Sequence, residues 1–568
     1  MRGLWVLIGV YVVFCGEGFG QGSLSYPVTG ENGMVVARTV YGAETGVAIL
    51  EDGGNAMDAA VGVAYALAVT LPSAGNLGGG GFLVYYDAET EGVYALDFRE
   101  TAPAGATRDM FLGEDGEVDE ERARASHLSS GVPGSVAGLS AALERFGTKP
   151  LAEVIEPAIA LAEEGFAFPA QQARSLKEYR ERVGKWESSR AIFFREDGSP
   201  HEAGDEVVME DLGRTLRLIQ EEGPTAFYEG AIADLIVAEM ERGGGLITKA
   251  DLAGYAPTWR EPVSGTYRGL SVYSMPPPSS GGVHLIEILN ILEGYDLRAM
   301  GWHSAASMHV MAEAMRRAFA DRSELLADAD FYEVPVAGLT AKGYAERLRE
   351  SIDLERATPS VEVRPGALLS VDGTNTTAFA VIDAAGNAVS LTTTINTAFG
   401  SGIVVTGAGF LLNNEMDDFS AKPGAPNAFG LLGGQANAVE AGKRPLSSMS
   451  PTIVLKEGRP FLMSGGAGGA RIISGVLQVI VNVVDYGMNV QEAVNAPRLH
   501  HQWLPDELSL EKGFSPDTVG LLEGKGHAVS VGNARSSVVA IEVVREGDGE
   551  VVYEGAADPR REGVAVGY

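Results

Sequence analysis

The spacing of apolar residues along the chain predicts helices in the first two thirds and strand pairs in the last third. Residues 44–72 show helical periodicity, and residues 136–350 are mainly helical. Short apolar runs bounded by turn residues predict strands. The clearest segments are helices at 151–163, 212–220, 308–326 and 472–486, and strands at 82–86, 93–98, 378–382, 388–394, 451–455 and 459–464. This order predicts a layered α/β sandwich with both sheet faces covered.

A β-hairpin is predicted immediately after Thr376. Its turn, residues 383–387, is centred near Ala385 and places Thr394 opposite Thr376 to within about one residue. A second hydroxyl group is therefore expected beside the first. The preceding residues, 351–375, lose periodicity and contain several proline and glycine residues, as expected of an exposed segment that ends in a cleavable bond.

The polar residues that follow Thr376 suggest an unusual nucleophile. They are hydroxyl, amide, carboxylate and glycine residues: Thr394, Asn396, Asn413, Asn414, Glu415, Asp417, Asp418, Ser447, Ser448, Gly468 and Gly469. This set contains no histidine, cysteine or lysine that could activate a threonine hydroxyl. The remaining base is the α-amine of Thr376 itself, which exists only if the chain is cut before it. We therefore predict self-cleavage between Asn375 and Thr376, with Thr376 as an N-terminal nucleophile.

Composition and charge restrict the function. The chain has 568 residues, 45% hydrophobic and 21% charged, which is a globular composition. Its net charge of −33 makes nucleic acid and anionic membranes improbable partners. An anionic substrate would need a local basic pocket, and Arg99, at the end of the strand predicted at 93–98, is the candidate for it.

The first 20 residues have the pattern of a secretory signal. Arg2 precedes an apolar run at 4–14 that is too short to span a bilayer, and Gly18 and Gly20 are suitable for a signal peptidase. We therefore expect export across the inner membrane to a periplasmic or extracellular location. A buried N-terminal strand is one alternative, and lipid attachment at Cys15, the only cysteine, is another.

Several motifs, in order from about residue 28 to the C-terminus, carry a family resemblance. They are Asp-Phe-Arg-Glu at 97–100, Asn-Thr-Thr at 375–377, Asn-Asn-Glu-Met-Asp-Asp-Phe at 413–419, Arg-Pro-Leu-Ser-Ser-Met-Ser-Pro at 444–451, Gly-Gly at 468–469, Ala-Pro-Arg at 496–498 and Ala-Asp-Pro-Arg at 557–560. The chain resembles γ-glutamyltransferase, also called γ-glutamyl transpeptidase. This resemblance implies an αββα N-terminal nucleophile (Ntn) hydrolase fold. It also implies a large subunit, 21–375, and a small catalytic subunit, 376–568, that form one intertwined unit.

The resemblance also implies a role for each candidate residue. Thr376 would form a γ-glutamyl ester, Thr394 would orient its hydroxyl, and the backbone N–H groups of Gly468 and Gly469 would form the oxyanion hole. The expected ligands of the substrate α-carboxylate are Arg99, Ser447 and Ser448, and those of its α-ammonium are Asn396, Glu415 and Asp418. Residues 422–435, with Phe429 at their centre, resemble a lid loop.

The implied reaction transfers the γ-glutamyl group of glutathione, or of a related γ-glutamyl compound, to water, an amino acid or a peptide. No cofactor is implied. The eight histidines lack the spacing of a zinc protease, so no metal is implied either.

Two alternatives use the same scaffold differently. The chain could be another Ntn amidase, such as a cephalosporin or glutaryl acylase or a poly-γ-glutamate depolymerase. Asp418 argues against an acyl group without an α-ammonium, because its carboxylate would then be buried without a partner. The other alternative is an uncut, inert binding protein, which a denaturing gel would reveal as a single full-length band.

Overall fold

Two antiparallel β-sheets lie face to face between layers of helices in the computed structural model, which describes residues 26–363, 376–422, 427–428, 431, 433–545 and 549–568. The predicted signal segment, residues 1–20, lies outside these ranges. The described strands are β1 (Val28–Gly30), β2 (Met34–Ala37), β3 (Gly80–Asp87), β4 (Gly92–Phe98), β5 (Phe166–Ala167), β6 (Glu206–Val207), β7 (Thr258–Arg260), β8 (Val263–Tyr267), β9 (Leu270–Ser274), β10 (Thr377–Ile382), β11 (Ala388–Thr394), β12 (Thr452–Lys456), β13 (Arg459–Ala467), β14 (Leu499–His500), β15 (Leu508–Glu511), β16 (Val529–Gly532), β17 (Ser537–Arg545), β18 (Val551–Ala556) and β19 (Val564–Gly567).

The described helices surround these sheets. They are α1 (Val40–Glu51), α2 (Ala56–Thr70), α3 (Glu120–Arg124), α4 (Ser135–Phe146), α5 (Leu151–Glu164), α6 (Ala170–Glu178), α7 (Arg180–Val183), α8 (Glu187–Phe193), α9 (Glu210–Glu222), α10 (Pro224–Tyr228), α11 (Ala231–Gly243), α12 (Lys249–Ala253), α13 (Gly281–Leu292), α14 (Leu297–Met300), α15 (Ala305–Leu325), α16 (Val336–Leu339), α17 (Lys342–Glu350), α18 (Arg471–Val484), α19 (Val490–Asn495) and α20 (Pro516–Gly524). Within the described ranges, none of them combines the length and apolar character needed to cross a bilayer.

Three of the four hydrophobic cores in the described residues hold the layers together. One sheet has the strand order β1-β18-β17-β13-β12-β9-β8, and the other has the order β19-β2-β10-β11-β3-β4-β7. A core that includes Met34, Ala380, Met463 and Ile541 fills the space between the sheets. The outer face of the β10 sheet packs on α1, α2 and α4, and that of the β13 sheet packs on α13, α18 and α19. This is the four-layer αββα arrangement that the resemblance implies.

The hairpin at the start of the last third is confirmed. In the β10–β11 ladder Thr377 pairs with Thr393, so Thr376 and Thr394 occupy the next opposed positions. The turn is closed by Asp383, whose backbone N–H donates to the Asn387 carbonyl oxygen at 3.1 Å and whose carboxylate accepts from the Asn387 backbone N–H at 3.0 Å.

Most long predicted helices are present within a few residues of their expected bounds, and the first helix shows the clearest difference. Sequence periodicity places its start at Glu44, whereas α1 begins at Val40. The reason is local capping, because the Thr39 side chain accepts a hydrogen bond from the Gly42 backbone N–H at 3.1 Å. Side-chain caps extend a helix beyond its apolar stripe, so periodicity alone misses the first turn.

Candidate active site

Thr376 and Thr394 lie side by side in a buried pocket at the end of the β10–β11 hairpin. Their residues are 4% and 2% exposed, and both line the same cavity. The Thr394 hydroxyl oxygen accepts a hydrogen bond from the Asn396 backbone N–H at 2.8 Å. The backbone of Thr394 pairs with Gly80 on β3, so the threonine is held between two strands. The predicted proximity of the two hydroxyl residues is therefore present in the structure.

Gly468 and Gly469 form the connection between β13 and α18, beside the threonine pair. Their φ angles are +137° and +56°, which favour glycine. A Cβ at Gly468 would lie 2.9 Å from the carbonyl oxygen of Arg535, so this position also lacks space for a side chain. Gly469 lines the cavity. The start of α18 adds the positive end of a helix dipole, so the connection is suited to an oxyanion.

Arg99 is fully buried at the end of β4 and faces the acidic residues of the pocket. Its guanidinium Nη1 donates to the Glu415 carboxylate, and its Nη2 lies 2.6 Å from Asp418 Oδ2. Its Nε donates to the Pro445 carbonyl oxygen at 3.2 Å. Arg99 is therefore not a surface ion pair. The cationic and anionic candidates, predicted as separate ligands of one zwitterion, are joined to each other here.

The acidic motif folds as a 3₁₀ turn, Glu415–Asp418, and is not a solvated loop. The Asn413 side-chain oxygen accepts from the Glu415 backbone N–H at 3.0 Å and so fixes the start of this turn. Asn396 adopts a left-handed backbone conformation, with φ of +73°, and its amide group donates to the Asn414 carbonyl oxygen. Within the described residues, Asn396 Oδ1 and Glu415 Oε2 are buried without a hydrogen-bond partner. Two buried acceptors thus point to a ligand that carries donors.

The carboxyl groups of the pocket are harder to ionise than usual. Burial raises the pKa of Asp418 to about 6, although the attraction of Arg99 opposes this shift. Burial likewise raises the pKa of Glu415 well above its ordinary value. Glu100, which is also buried and lies 3.8 Å from Arg99 Nη1, has its pKa raised to about 7 by burial. Additional positive charge from a ligand would therefore stabilise the ionised carboxylates.

Ser447 and Ser448 are held by a distant segment of the chain. The proline-rich turn between β9 and α13 contacts Ser447 through two backbone hydrogen bonds. The Ser280 N–H donates to the Ser447 carbonyl oxygen at 2.8 Å, and the Ser447 N–H donates to the Pro278 carbonyl oxygen at 2.8 Å. This turn, residues 275–282, therefore supports the site. Both serines line the cavity together with the threonine pair, Gly469 and the charged residues.

Arg322 is a pocket residue that sequence reasoning missed. It lies in the last turn of α15, is 4% exposed, and lines the cavity. Its Nε donates to the Ser280 hydroxyl oxygen at 2.9 Å, and its Nη2 donates to the Ser448 hydroxyl oxygen at 3.2 Å. In the sequence, Arg322 stands out only as an arginine within a helix that is rich in alanine and methionine. That pattern does not identify a pocket residue unless the positions of the distant serines are known.

Part of the predicted lid borders the cavity. Leu431 lines it, Asn427 donates to Asp418 Oδ1 at 2.9 Å, and the Ala428 backbone N–H donates to Asp417 Oδ2 at 2.8 Å. The cavity has a volume of about 20 Å³, room for roughly one water molecule. A larger ligand would have to displace some of the side-chain contacts that now fill the pocket. The predicted lid residue Phe429 and cleavage residue Asn375 lie outside the described residues.

One group with the spacing of metal ligands occurs elsewhere in the described chain. Atoms of His309, Glu313 and His527 lie within 4.8 Å of one another. However, Glu313 already pairs with Arg316 and Arg317, and His309 Nδ1 lies 2.8 Å from His527 Nε2, within hydrogen-bond distance. Because these contacts use the ligand atoms and place cations beside them, we assign the group a structural role.

Comparison with known proteins finds one family over most of the chain. The gamma-glutamyltranspeptidase family model matches residues 42–568. The chain is 54% identical over 536 residues to the glutathione hydrolase proenzyme of Escherichia coli (strain K12), which covers 94% of this chain and 91% of that protein.

Two solved structures extend the comparison. The cephalosporin acylase from Bacillus halodurans aligns with a TM-score of 0.84 at 28% identity, covering 98% of this chain and 99% of that chain. The gamma-glutamyltranspeptidase of Helicobacter pylori aligns with a TM-score of 0.57 at 48% identity, covering 58% of this chain and 93% of that chain.

Proposed function

Because this chain belongs to the γ-glutamyltranspeptidase family, we propose that it is a glutathione hydrolase that cuts itself before Thr376 and uses this residue as its nucleophile. The chain is an enzyme of this type. The observation that carries the proposed site is a single pocket that joins a threonine pair, a glycine turn and both charge types required by an amino-acid zwitterion.

Self-cleavage is the first step of the proposed mechanism. The Thr376 hydroxyl oxygen attacks the Asn375 carbonyl carbon, and the peptide C–N bond breaks as nitrogen gains a proton. Water then hydrolyses the resulting ester. The products are a carboxylate on Asn375 and a free α-amine on Thr376, whose reference pKa of about 7.7–8.0 suits a base near neutral pH.

Transfer uses the new amine as the proton acceptor. It takes the Thr376 hydroxyl proton as the oxygen bonds to the γ-carbonyl carbon of glutathione, and the N–H groups of Gly468 and Gly469 stabilise the oxyanion. The amine then returns the proton to the departing cysteinylglycine as the C–N bond breaks. Water, or the amine of an amino acid or peptide, attacks the ester and restores the free hydroxyl. Thr394 orients that hydroxyl throughout.

Specificity comes from the charged residues. Arg99, Ser447 and Ser448 bind the substrate α-carboxylate, for which a planar guanidinium is well suited. Asn396, Glu415 and Asp418 bind the α-ammonium. The partnerless acceptors Asn396 Oδ1 and Glu415 Oε2 support this assignment, because an ammonium group supplies the donors that they lack.

An acylase function is the weaker candidate. The similarity to a cephalosporin acylase favours it at the level of fold. An acyl group without an α-ammonium would bring no cation to the Asp418 and Glu415 carboxylates, which would stay paired with Arg99. The chemistry of the pocket therefore favours a γ-glutamyl substrate.

The decisive experiment is product analysis with glutathione. Purified protein should release glutamate and cysteinylglycine, and added glycylglycine should divert part of the γ-glutamyl group to γ-glutamylglycylglycine. If the protein leaves glutathione intact but hydrolyses a glutaryl amide, the acylase assignment replaces ours.

We further propose that residues 1–20 are removed on export to the periplasm or the exterior. Edman sequencing of the large fragment from secreted protein would test this.

A further inference from the structure

Arg322 and the two pocket serines form one hydrogen-bonded unit. The Arg322 guanidinium spans them: Nη2 contacts the Ser448 hydroxyl oxygen directly, and Nε contacts Ser280, whose own hydroxyl donates to the Ser447 carbonyl oxygen at 2.7 Å. A single side chain therefore holds together three segments that are far apart in the sequence: the end of α15, the start of α13 and residues 447–448.

The direction of these hydrogen bonds determines how Ser448 can act. A guanidinium donates only, so the Ser448 oxygen must be the acceptor from Arg322. The Ser448 hydroxyl proton is then free to point elsewhere, and within the described residues it has no recorded acceptor. Because Ser448 lines the cavity, this proton is available to an acceptor inside it.

Arg322 also contributes charge. Burial lowers its pKa to about 10, so it remains a cation at neutral pH. The described pocket lining thus contains two guanidinium groups, Arg99, which pairs with Asp418, and Arg322, which contacts Ser448. A carboxylate bound close to both would meet two cations and a hydroxyl donor.

We infer that Arg322 is a positioning residue for the substrate α-carboxylate, acting through Ser448, whose hydroxyl it sets as a hydrogen-bond donor to the ligand. This inference rests on the proposed γ-glutamyl transfer and adds to it a residue that selects the α-carboxylate. Arg322 does not contact the reacting carbonyl, so its removal affects donor binding more than turnover.

A double-mutant cycle on the full-length, self-cleaved protein tests this inference. We compare wild type, Arg322→Gln, Ser448→Ala and the double variant with a γ-glutamyl p-nitroanilide donor. Each single variant should lower kcat/KM about tenfold or more, mainly through KM, as expected for a lost hydrogen bond to a charged group. The double variant should lose little more than Ser448→Ala, because both substitutions remove the same interaction.

Two further variants keep the result interpretable. Arg317→Gln, on the same helix and equally buried but paired with Glu313, is the matched control and should leave the donor KM unchanged. If Arg322→Gln remains uncut on a gel, Arg322→Lys is measured in its place, and it should show a smaller rise in KM. An unchanged KM in the folded variant, or fully multiplicative losses in the cycle, would overturn the inference. Absence of wild-type turnover would instead refute the proposed function.

Discussion

At the scale of single residues, three buried carboxyl groups lie in or beside the pocket, which contains two guanidinium groups. Glu100, Glu415 and Asp418 are buried around Arg99, and Arg322 supplies the second cation. Buried carboxylates are tolerated only when paired or protonated. The α-ammonium of a bound ligand would add the missing positive charge, while its carboxylate would take over part of the contacts of Arg99. Under the proposed function, substrate binding would exchange ion pairs within a buried site.

In the proposed mechanism, both self-cleavage and catalysis depend on the hydroxyl of Thr376. Thr376→Ala should therefore give one uncut chain without glutathione hydrolysis, whereas Thr376→Ser should still be cut, because it keeps the nucleophilic oxygen. A denaturing gel and a glutamate assay measure both effects. Release of two fragments by Thr376→Ala, or a small fragment that begins at another residue, would contradict the assignment.

The raised pKa of Asp418 predicts a pH dependence of substrate binding. Below about pH 6 the carboxyl group gains a proton, becomes neutral and no longer attracts the α-ammonium, so kcat/KM should fall as pH drops through this value. In the enzyme–substrate complex the substrate ammonium favours the ionised form of Asp418, so the pH profile of kcat should not show the fall that is due to Asp418. Titration of the Thr376 amine, by contrast, should affect both parameters. Identical acid limbs in the two profiles would exclude the role of Asp418.

At the scale of elements, Asp383 ties the catalytic hairpin to helix α2. Its carboxylate accepts from the Asn387 backbone and side chain and from the Ala56 backbone N–H, at 2.8 to 3.0 Å. Asp383→Ala should lower the free energy of unfolding by about 3 kcal/mol, because charge-assisted hydrogen bonds contribute roughly 1.5–3 kcal/mol each and are not additive. Chemical denaturation measures this. Asp115→Ala, in an exposed turn, is the control and should change stability by less than about 0.5 kcal/mol.

Elements formed by local rules were predictable from the sequence, and contacts between distant segments were not. The β10–β11 hairpin depends on one turn, so its position gave the opposition of Thr376 and Thr394. Two contacts of the site depend on tertiary packing between residues more than 100 positions apart. They are the pairing of the 275–282 turn with Ser447 and the contact of Arg322 with Ser448. Periodicity carries no information on such contacts, so Arg322 became visible only in the structure.

The buried state of the acidic motif was also beyond local rules. Asn-Glu-Met-Asp-Asp has the composition of a solvated loop, yet Glu415 is 1% exposed. Its burial depends on Arg99, which reaches it from β4, more than 300 residues earlier. Only the family resemblance, through motif order, anticipated that these two groups belong to one site.

At the scale of the whole molecule, the proposed cut leaves both sheets built from both fragments. In one sheet β2, β3, β4 and β7 come from before Thr376, whereas β10, β11 and β19 come from after it. The other sheet combines β1, β8 and β9 with β12, β13, β17 and β18. Separation of the fragments would therefore break backbone ladders in both sheets and expose the three cores that hold the layers together.

This interleaving predicts that the two fragments remain one particle after cleavage. On size-exclusion chromatography in native buffer, the cut protein should elute at the same volume as uncut Thr376→Ala, and both fragments should appear in that peak on a denaturing gel. Thermal unfolding should show one main transition, because neither fragment retains a complete sheet. Elution of a free, folded 376–568 fragment would mean that the small subunit carries its own core, and the interleaved arrangement would then be wrong.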